Sequence, residues 1–311
     1  MVLLQLFVLL GSFVMIWYGA GKIVKSADKF SHKLKVSSFA FSFLVLGLLT
    51  STPEFAVGLT ALAENKPDIY IGNLIGGIPV LFLFVIPILA ILGKGLALKK
   101  SINQKNLLFS FGVILLPSLF IIDQKVTITE SILSLLAYGV LLYFVQREKG
   151  VFDNGNKSLL SLNSYSLKDI LEVMYGIGLV FVASHYIVDG TRYFADFFNI
   201  STFFISLILV SLGTNLPELS LAIKAAIEGK KDVAFGDYVG SGSANTLLFG
   251  LFGIIYGKTA IVNDNFLASC IMLLVGLCLF YVFARSKYFL SRVEGILLML
   301  LFLLFGIAQL F

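Results

Sequence analysis

A short motif containing a proline and a glutamate occurs twice in this chain, each time inside a long apolar segment. The first copy is Gly47-Leu-Leu-Thr-Ser-Thr-Pro-Glu54, and its glutamate is the only ionisable residue between Lys35 and Glu64. A segment of this length is sufficient to cross a bilayer as a helix, which takes about 20 residues. A carboxylate inside such a span is energetically costly and usually functional. The motif therefore predicts a functional site within a membrane-spanning segment.

The proline determines the local backbone of this motif. Pro53 has no N–H group and its ring clashes with the carbonyl of Leu49, so the helix is expected to kink or break. Thr50 lies one turn before Glu54, on the same helix face. Freed carbonyls, hydroxyls and a carboxylate are the oxygen ligands that hard cations prefer. The motif thus predicts a cation site.

The second copy, Gly213-Thr-Asn-Leu-Pro-Glu218, follows the first at a constant offset of 164 residues. Pairs of identical residues at this offset are Ser37 and Ser201, Phe39 and Phe203, Ser42 and Ser206, Thr50 and Thr214, Pro53 and Pro217, Glu54 and Glu218, Gly72 and Gly236, and Gly76 and Gly240. Chance similarity between apolar helices would not hold a register over about 40 residues without gaps. The chain is therefore predicted to contain an internal duplication.

The composition of the chain is that of an integral membrane protein. Of its 311 residues, 58% are hydrophobic and 13% are charged, a balance atypical of soluble domains. The apolar segments predict an all-α membrane protein with ten transmembrane helices, arranged as two five-helix repeats. The first repeat is predicted at 1–146, with its motif at 47–81, and the second at 169–311, with its motif at 211–245. The polar segment 147–168 is predicted to be a cytoplasmic linker.

The basic residues lie mainly on one side of the predicted spans. The odd-numbered connections contain 19 Lys and Arg and the even-numbered ones contain 4, which places the odd connections in the cytoplasm and both termini outside. An odd number of spans per repeat inverts the second copy. Inverted repeats with broken helices at the midplane are a recurrent design of secondary transporters. The net charge of +5 is thus a topology signal, and no nucleic-acid partner is predicted.

The sequence gives little support for an enzyme or an ATP-driven pump. Its two histidines are His32, in a predicted loop, and His185, near a span end, and no nucleophile–base pair or paired metal-binding histidines appear. No Gly-x-x-x-x-Gly-Lys phosphate-binding motif is present, so transport would be driven by an ion gradient. His185 and Asp189, four residues apart, are interpreted as a hydrogen-bonded pair at the outer end of the sixth span.

The two motifs resemble the alpha-1 and alpha-2 repeats of the calcium/cation antiporter superfamily, particularly its prokaryotic sodium/calcium exchanger branch. The resemblance covers the ten-span layout and is most specific at 50–54 and 213–218, each followed after about 20 residues by Gly-(Asn/Asp)-x-x-Gly. It implies a multi-pass antiporter in the cell membrane, whose partners are inorganic cations and the lipid bilayer. Ca²⁺ and Na⁺, or H⁺, would be transported, without a covalently bound cofactor, while the first and sixth spans move across the other helices.

The same resemblance implies which residues bind the ions. Calcium would bind the two motif glutamates and threonines, with neighbouring side chains completing the site. The implied metal ligands are Glu54, Glu218, Thr50, Thr214, Ser51, Asn215, Ser241 and Asn245. Asn215 stands where the family usually has a serine, and Asn245 where it often has an aspartate. Gly77 replaces a serine and Leu81 an asparagine, so oxygen ligands are lost mainly on the first-repeat side.

These departures leave several functions open at the level of sequence. Gly77, Leu81 and Asn245 favour proton-coupled exchange of calcium or another metal as an alternative, because protonation of a glutamate can replace a bound sodium ion. A passive channel would conduct without a counter-ion gradient. A non-transporting membrane scaffold would tolerate glutamine in place of both motif glutamates. The resemblance makes sodium-for-calcium exchange the first hypothesis. Charge agrees with it, because two carboxylates balance one divalent or about two monovalent cations.

Overall fold

The computed structural model describes residues 2–31, 47–97, 104–147, 167–228, 231–262, 266–287 and 289–308. Its α-helices are α1 (Val2–Ser31), α2 (Gly47–Thr50), α3 (Thr52–Ala63), α4 (Pro67–Pro79), α5 (Ile86–Leu92), α6 (Gln104–Phe120), α7 (Ile128–Arg147), α8 (Leu167–Phe198), α9 (Thr202–Ile205), α10 (Ser211–Thr214), α11 (Leu216–Glu228), α12 (Lys231–Tyr256), α13 (Leu267–Lys287) and α14 (Arg292–Ala308). Two π-helices (Val80–Val85 and Ser206–Val210), one 3₁₀-helix (Ile121–Asp123) and four short strands, β1 (Leu96–Ala97), β2 (Lys125–Val126), β3 (Ala260–Ile261) and β4 (Phe289–Leu290), complete the described elements.

Six stretches of helix within the described residues are long and apolar enough to cross a membrane, which confirms a helical, multi-pass membrane protein. They are Val2–Ile23, Pro67–Leu92, Ile128–Val145, Ile170–Phe198, Tyr238–Tyr256 and Leu267–Arg285. The other four predicted spans, 36–63, 106–122, 200–227 and 293–311, are shorter, interrupted or partly outside the described residues. The number of spans therefore stays a prediction beyond these six.

Burial separates central helices from peripheral ones. In the most apolar 18-residue stretches of Pro67–Leu92 and Tyr238–Tyr256, which follow the two motifs, 83% and 78% of the residues are buried. Val2–Ile23 and Ile170–Phe198 are each only 28% buried. The helices after the motifs thus form the centre of the bundle, and α1 and α8 lie on its outside.

Both motif helices are interrupted just before their prolines. The breaks fall at Ser51, between α2 and α3, and at Asn215, between α10 and α11. A proline in a helix cannot donate to the carbonyl four residues back. In the first half the Thr52 hydroxyl donates to that carbonyl, on Leu49, at 2.6 Å. The predicted helix interruptions are therefore present.

The 164-residue register extends well beyond the motifs. β1 pairs antiparallel with β4, and β2 with β3, whereas the offset relates β1 to β3 and β2 to β4. At the start of α7, Glu130 accepts a hydrogen bond from the backbone N–H of Thr127 at 2.7 Å, and at the start of α14 Glu294 does the same for Ser291 at 2.7 Å. These are two equivalent capping boxes. The two halves therefore share local structure outside the motifs.

Glycines let the central helices approach the broken ones. A side chain at Gly76 would overlap the Leu207 carbonyl oxygen and lie 2.8 Å from the Ser211 hydroxyl. A side chain at Gly47 would lie 2.6 Å from the carbonyl carbon of Gly240. The offset relates Gly76 to Gly240 and Gly47 to Ser211, so the two contacts are equivalent. The helix after each motif thus approaches the broken helix of the other half closely.

α1 and α8 pack together on the outside of the bundle through a reciprocal glycine contact. An added Cβ at Gly19 would lie 2.8 Å from the Gly176 carbonyl oxygen, and one at Gly176 would lie 2.7 Å from the Gly19 carbonyl oxygen. Small residues permit such close helix contacts in membranes. α8 also contacts α3, where the hydroxyl oxygens of Thr60 and Ser184 are 2.8 Å apart. This peripheral pair therefore lies directly against a motif helix.

Candidate cation-binding site

The two motif glutamates are buried at the start of the helices that follow the breaks. Glu54 lies in the first turn of α3 and Glu218 in the first turn of α11. A helix N-terminus favours a carboxylate electrostatically. All eight predicted site residues are at most 2% exposed. The fold thus removes the whole predicted set from bulk solvent.

Hydrogen bonds connect these residues across the two halves. The Asn215 amide nitrogen donates to Glu54 Oε1 at 3.2 Å. The Ser241 hydroxyl donates to Glu218 Oε1 at 3.0 Å, and the hydroxyl oxygens of Ser51 and Ser241 are 3.2 Å apart. Residues separated by more than 150 positions in sequence therefore form one polar cluster.

Each motif threonine reaches the glutamate of the other half. The side chain of Thr214 lies beside the Glu54 carboxyl group, and that of Thr50 lies beside the Glu218 carboxyl group. The 164-residue offset exchanges these two pairs. The cluster therefore has approximate twofold symmetry, with both halves contributing to each carboxylate.

Several buried oxygens of the cluster have no hydrogen-bond partner. Among the side-chain atoms in this condition are Glu54 Oε2, Glu218 Oε2, Asn215 Oδ1 and Asn245 Oδ1. Leaving a polar atom buried and unpaired costs about 1–3 kcal/mol, and more for a charged group. Carboxylate and amide oxygens are typical ligands of hard cations. These four atoms therefore fit the chemistry of a bound cation.

The cluster is asymmetric around Gly77. An added Cβ at Gly77 would lie 2.6 Å from Asn245 Nδ2 and 3.5 Å from Asn215 Nδ2. The Asn245 amide in turn donates to the Leu74 carbonyl at 3.1 Å. Leu81, the equivalent of Asn245, is fully buried in a hydrophobic cluster. Amides from the second half thus occupy the space beside Gly77, on the side where the first half lacks polar groups.

Two polar residues that the sequence did not single out are brought by the fold into contact with predicted ones. Asn73 is fully buried, and its Oδ1 accepts a hydrogen bond from the Thr214 hydroxyl at 3.0 Å. The one sequence feature that could have indicated a role for Asn73 is its position as a polar residue within an apolar segment. Glu64, at the end of α3, joins the predicted pair of His185 and Asp189. Nothing in the sequence places Glu64 next to α8.

Comparison with known proteins identifies the family. The model of the family described as sodium/calcium exchanger protein matches residues 4–146 and 169–311, one match in each half. The chain belongs to the sodium/calcium exchanger family. This confirms the resemblance inferred from the two motifs.

Relatives with known names or solved structures resemble the chain over nearly its whole length. It is 27% identical to the putative antiporter CaxA of Alkalimonas amylolytica, over 97% of each chain. It is 24% identical to the sodium/calcium exchanger MaX1 of Methanosarcina acetivorans, over 98% of each chain. The solved structure of the sodium-calcium exchanger NCX_Mj matches with a TM-score of 0.72 at 25% identity, covering 100% of both chains. The fold described above is therefore the exchanger fold.

Proposed function

We propose that this protein is a secondary active antiporter that exchanges sodium for calcium across the membrane by alternating access. The supporting observation is the pair of buried carboxylates, one from each half, with unpartnered oxygens in the same cluster. In a site of low dielectric, two carboxylates balance one Ca²⁺ or about two Na⁺. Binding of one ion type therefore displaces the other, which is the basis of exchange.

The proposed ligand set combines charge with neutral oxygens. Glu54 and Glu218 supply the charge that selects cations. The neutral ligands are Thr50, Thr214, Ser51, Asn215, Ser241 and Asn245. The Ser51 hydroxyl donates its hydrogen to the Gly47 carbonyl at 2.8 Å, so its oxygen lone pairs remain available to a cation. Such all-oxygen sites suit Ca²⁺ and exclude softer metals.

The proposed topology has ten spans in two inverted repeats, 1–146 and 169–311, joined by a cytoplasmic linker at 147–168. The strand pairs support it. β1 and β4 lie in the third and ninth connections, and β2 and β3 in the fourth and eighth, so each pair joins connections predicted to be on one side. α6, with 17 residues or about 25 Å, separates β1 from β2. The duplication relates β1 to β3 and β2 to β4, which lie at opposite ends of the bundle, and this supports an inverted second repeat. In the proposed topology both termini are outside the cell membrane.

Alternating access is proposed to involve α1 and α8. These helices are peripheral, pack on each other and contact α3 beside the cation cluster. Movement of this pair across the central helices would open the cluster to one side of the membrane at a time. The central helices, which contribute Asn73, Ser241 and Asn245, would stay in place.

Calcium-45 uptake into proteoliposomes tests the proposed function. We expect uptake with an outward sodium gradient and none with an outward proton gradient in the absence of sodium. Uptake driven only by protons would contradict sodium coupling and support the alternative of proton-coupled exchange, which Gly77, Leu81 and Asn245 favour. Uptake that follows the calcium gradient alone would indicate a channel.

Neutralising either motif glutamate is expected to abolish sodium-driven uptake, with a loss of at least tenfold. Glu54→Gln or Glu218→Gln leaves one carboxylate, which cannot balance a divalent ion. Glu172→Gln is the matched control. The Glu172 side chain is partly exposed, and its Oε1 lies 3.9 Å from Lys22 Nζ, so this long ion pair contributes little to stability. Normal uptake by either motif variant, with a normal melting temperature, would refute the site.

A further inference from the structure

A second cluster of metal-binding side chains lies where α3 meets α8. Glu64 follows the end of α3, and its Oε1 is 3.4 Å from His185 Nδ1. His185 Nε2 is 3.4 Å from Asp189 Oδ2. The spacing of four residues places His185 and Asp189 on one face of α8. The ligand atoms of all three residues lie within 4.8 Å of one another.

The geometry points to a binding site for a divalent transition metal such as zinc, formed by Glu64, His185 and Asp189. Imidazole favours transition metals, whereas calcium prefers oxygen ligands alone. Zinc binds one nitrogen of an imidazole, and two ligands about 2.1 Å from a tetrahedral zinc ion are roughly 3.4 Å apart. That is the separation of His185 Nδ1 from Glu64 Oε1, and an Asp189 oxygen, within 4.8 Å of the other ligand atoms, reaches the same ion when its side chain rotates. One imidazole nitrogen and two carboxylate oxygens give three ligands, and a water molecule completes the tetrahedron after small side-chain rotations.

Charge and access at this cluster suit a metal ion. Arg192 Nη1 lies 3.1 Å from Glu64 Oε2, which holds that carboxylate with its other oxygen towards His185. Two carboxylates and one guanidinium leave a net negative charge that attracts a divalent cation. The side chains of His185 and Asp189 are 59% and 48% exposed, so the protein leaves the site open on that side. Glu64, at 19%, forms the inner wall of the site.

A metal ion at this site joins the helix that contains Glu54 to the peripheral pair. In the alternating-access mechanism, on which this step of the inference rests, α8 moves across α3. An ion coordinated by Glu64 on one side and by His185 and Asp189 on the other holds the two elements in one arrangement. Bound transition metal therefore inhibits exchange from a position separate from the transport site.

Binding is tested without any measurement of transport. Purified protein with Glu54→Gln, which weakens the central site, is titrated with Zn²⁺ by calorimetry and with Co²⁺ by visible absorbance. We expect one site, and at least tenfold weaker binding when His185→Gln or Asp189→Asn is added. Asp196→Asn, which removes an exposed carboxylate of the same helix, is the matched control. Binding that is absent or unaffected by His185→Gln overturns the site and leaves a simple ion-pair network.

Inhibition is tested in proteoliposomes containing protein without the Glu54 substitution. Zn²⁺ at a concentration that saturates the titrated site, present on both faces, is expected to reduce sodium-driven calcium uptake at least fivefold, reversibly with a zinc-selective chelator. His185→Gln should be resistant. Equal inhibition of both proteins assigns zinc to the central site and overturns the inhibitory role, as does full uptake with the site occupied. If sodium drives no uptake even without zinc, the proposed function fails, and the titration still decides the metal site.

Discussion

Gly77 leaves the space that the Asn245 amide occupies, so these two positions are physically coupled. The resemblance implies that both depart from the family pattern, Gly77 in volume and Asn245 in charge. A serine at position 77 would add a hydroxyl ligand but would bring its Cβ within 2.6 Å of Asn245 Nδ2. The amide would then have to leave the Leu74 carbonyl. The residue at position 77 and the position of the Asn245 amide therefore depend on each other, although they belong to different halves of the chain.

Gly77→Ser is expected to destabilise the protein by about 1–3 kcal/mol, the usual cost of overpacking a core. Combining it with Asn245→Ser should recover part of the melting temperature, because the shorter side chain removes the overlap. A double-mutant cycle in detergent, with Asn245→Ser alone as the third corner, measures this coupling. Strictly additive losses would show that the two positions are independent.

At the scale of elements, the close approach between α4 and the π-helix Ser206–Val210 determines how the second broken helix is held. A π-helix widens the turn and occurs frequently at functional sites. Here it presents the Leu207 carbonyl to the backbone of Gly76. Any side chain at Gly76 would meet the backbone of the π-helix, so glycine is needed at this position of α4.

Gly76→Ala is expected to lower the free energy of unfolding by more than about 3 kcal/mol. The new methyl group would overlap the Leu207 backbone carbonyl, which cannot rotate away as a side chain can. Gly112→Ala in α6 is the matched control. Outside its own turn of helix, no atom of the described residues lies within 4 Å of an added Cβ there, and alanine favours a helix over glycine by about 1 kcal/mol. Thermal unfolding followed by fluorescence size-exclusion compares the two. Similar melting temperatures would contradict the close approach.

The sequence predicted the elements whose signal is local. Pro53 and Pro217 predicted the helix breaks, and the constant offset between the two motifs predicted the duplication. It did not predict the π-helices, because a residue added to a turn leaves no distinctive pattern. It also missed β1 to β4, since two-residue strands have no readable period. Contacts such as Glu64 with His185 depend on helix packing, which residue spacing does not encode.

At the scale of the whole molecule, the arrangement separates a central body from a peripheral pair. The central helices are 83% and 78% buried and contact both broken helices. α1 and α8 are 28% buried and contact each other through the backbones of Gly19 and Gly176. Ile128–Val145 is buried to the same extent, but α1 and α8 share the reciprocal backbone contact, and α8 also contacts α3 at Thr60. We therefore propose that α1 and α8 move as a unit.

Fixing α8 to α3 is expected to block exchange. The Thr60 and Ser184 hydroxyl oxygens are 2.8 Å apart, so cysteines at both positions, in a chain whose Cys270 and Cys278 are replaced by serine, should form a disulfide with its bond of about 2.05 Å. Oxidation should abolish sodium-driven calcium uptake, and a reductant should restore it. Lys22→Cys/Glu172→Cys, joined by a bis-maleimide, is the matched control, because it links α1 to α8 and leaves the pair free to move together. Full uptake by quantitatively crosslinked Thr60→Cys/Ser184→Cys protein would show that exchange proceeds without movement of α8 across α3.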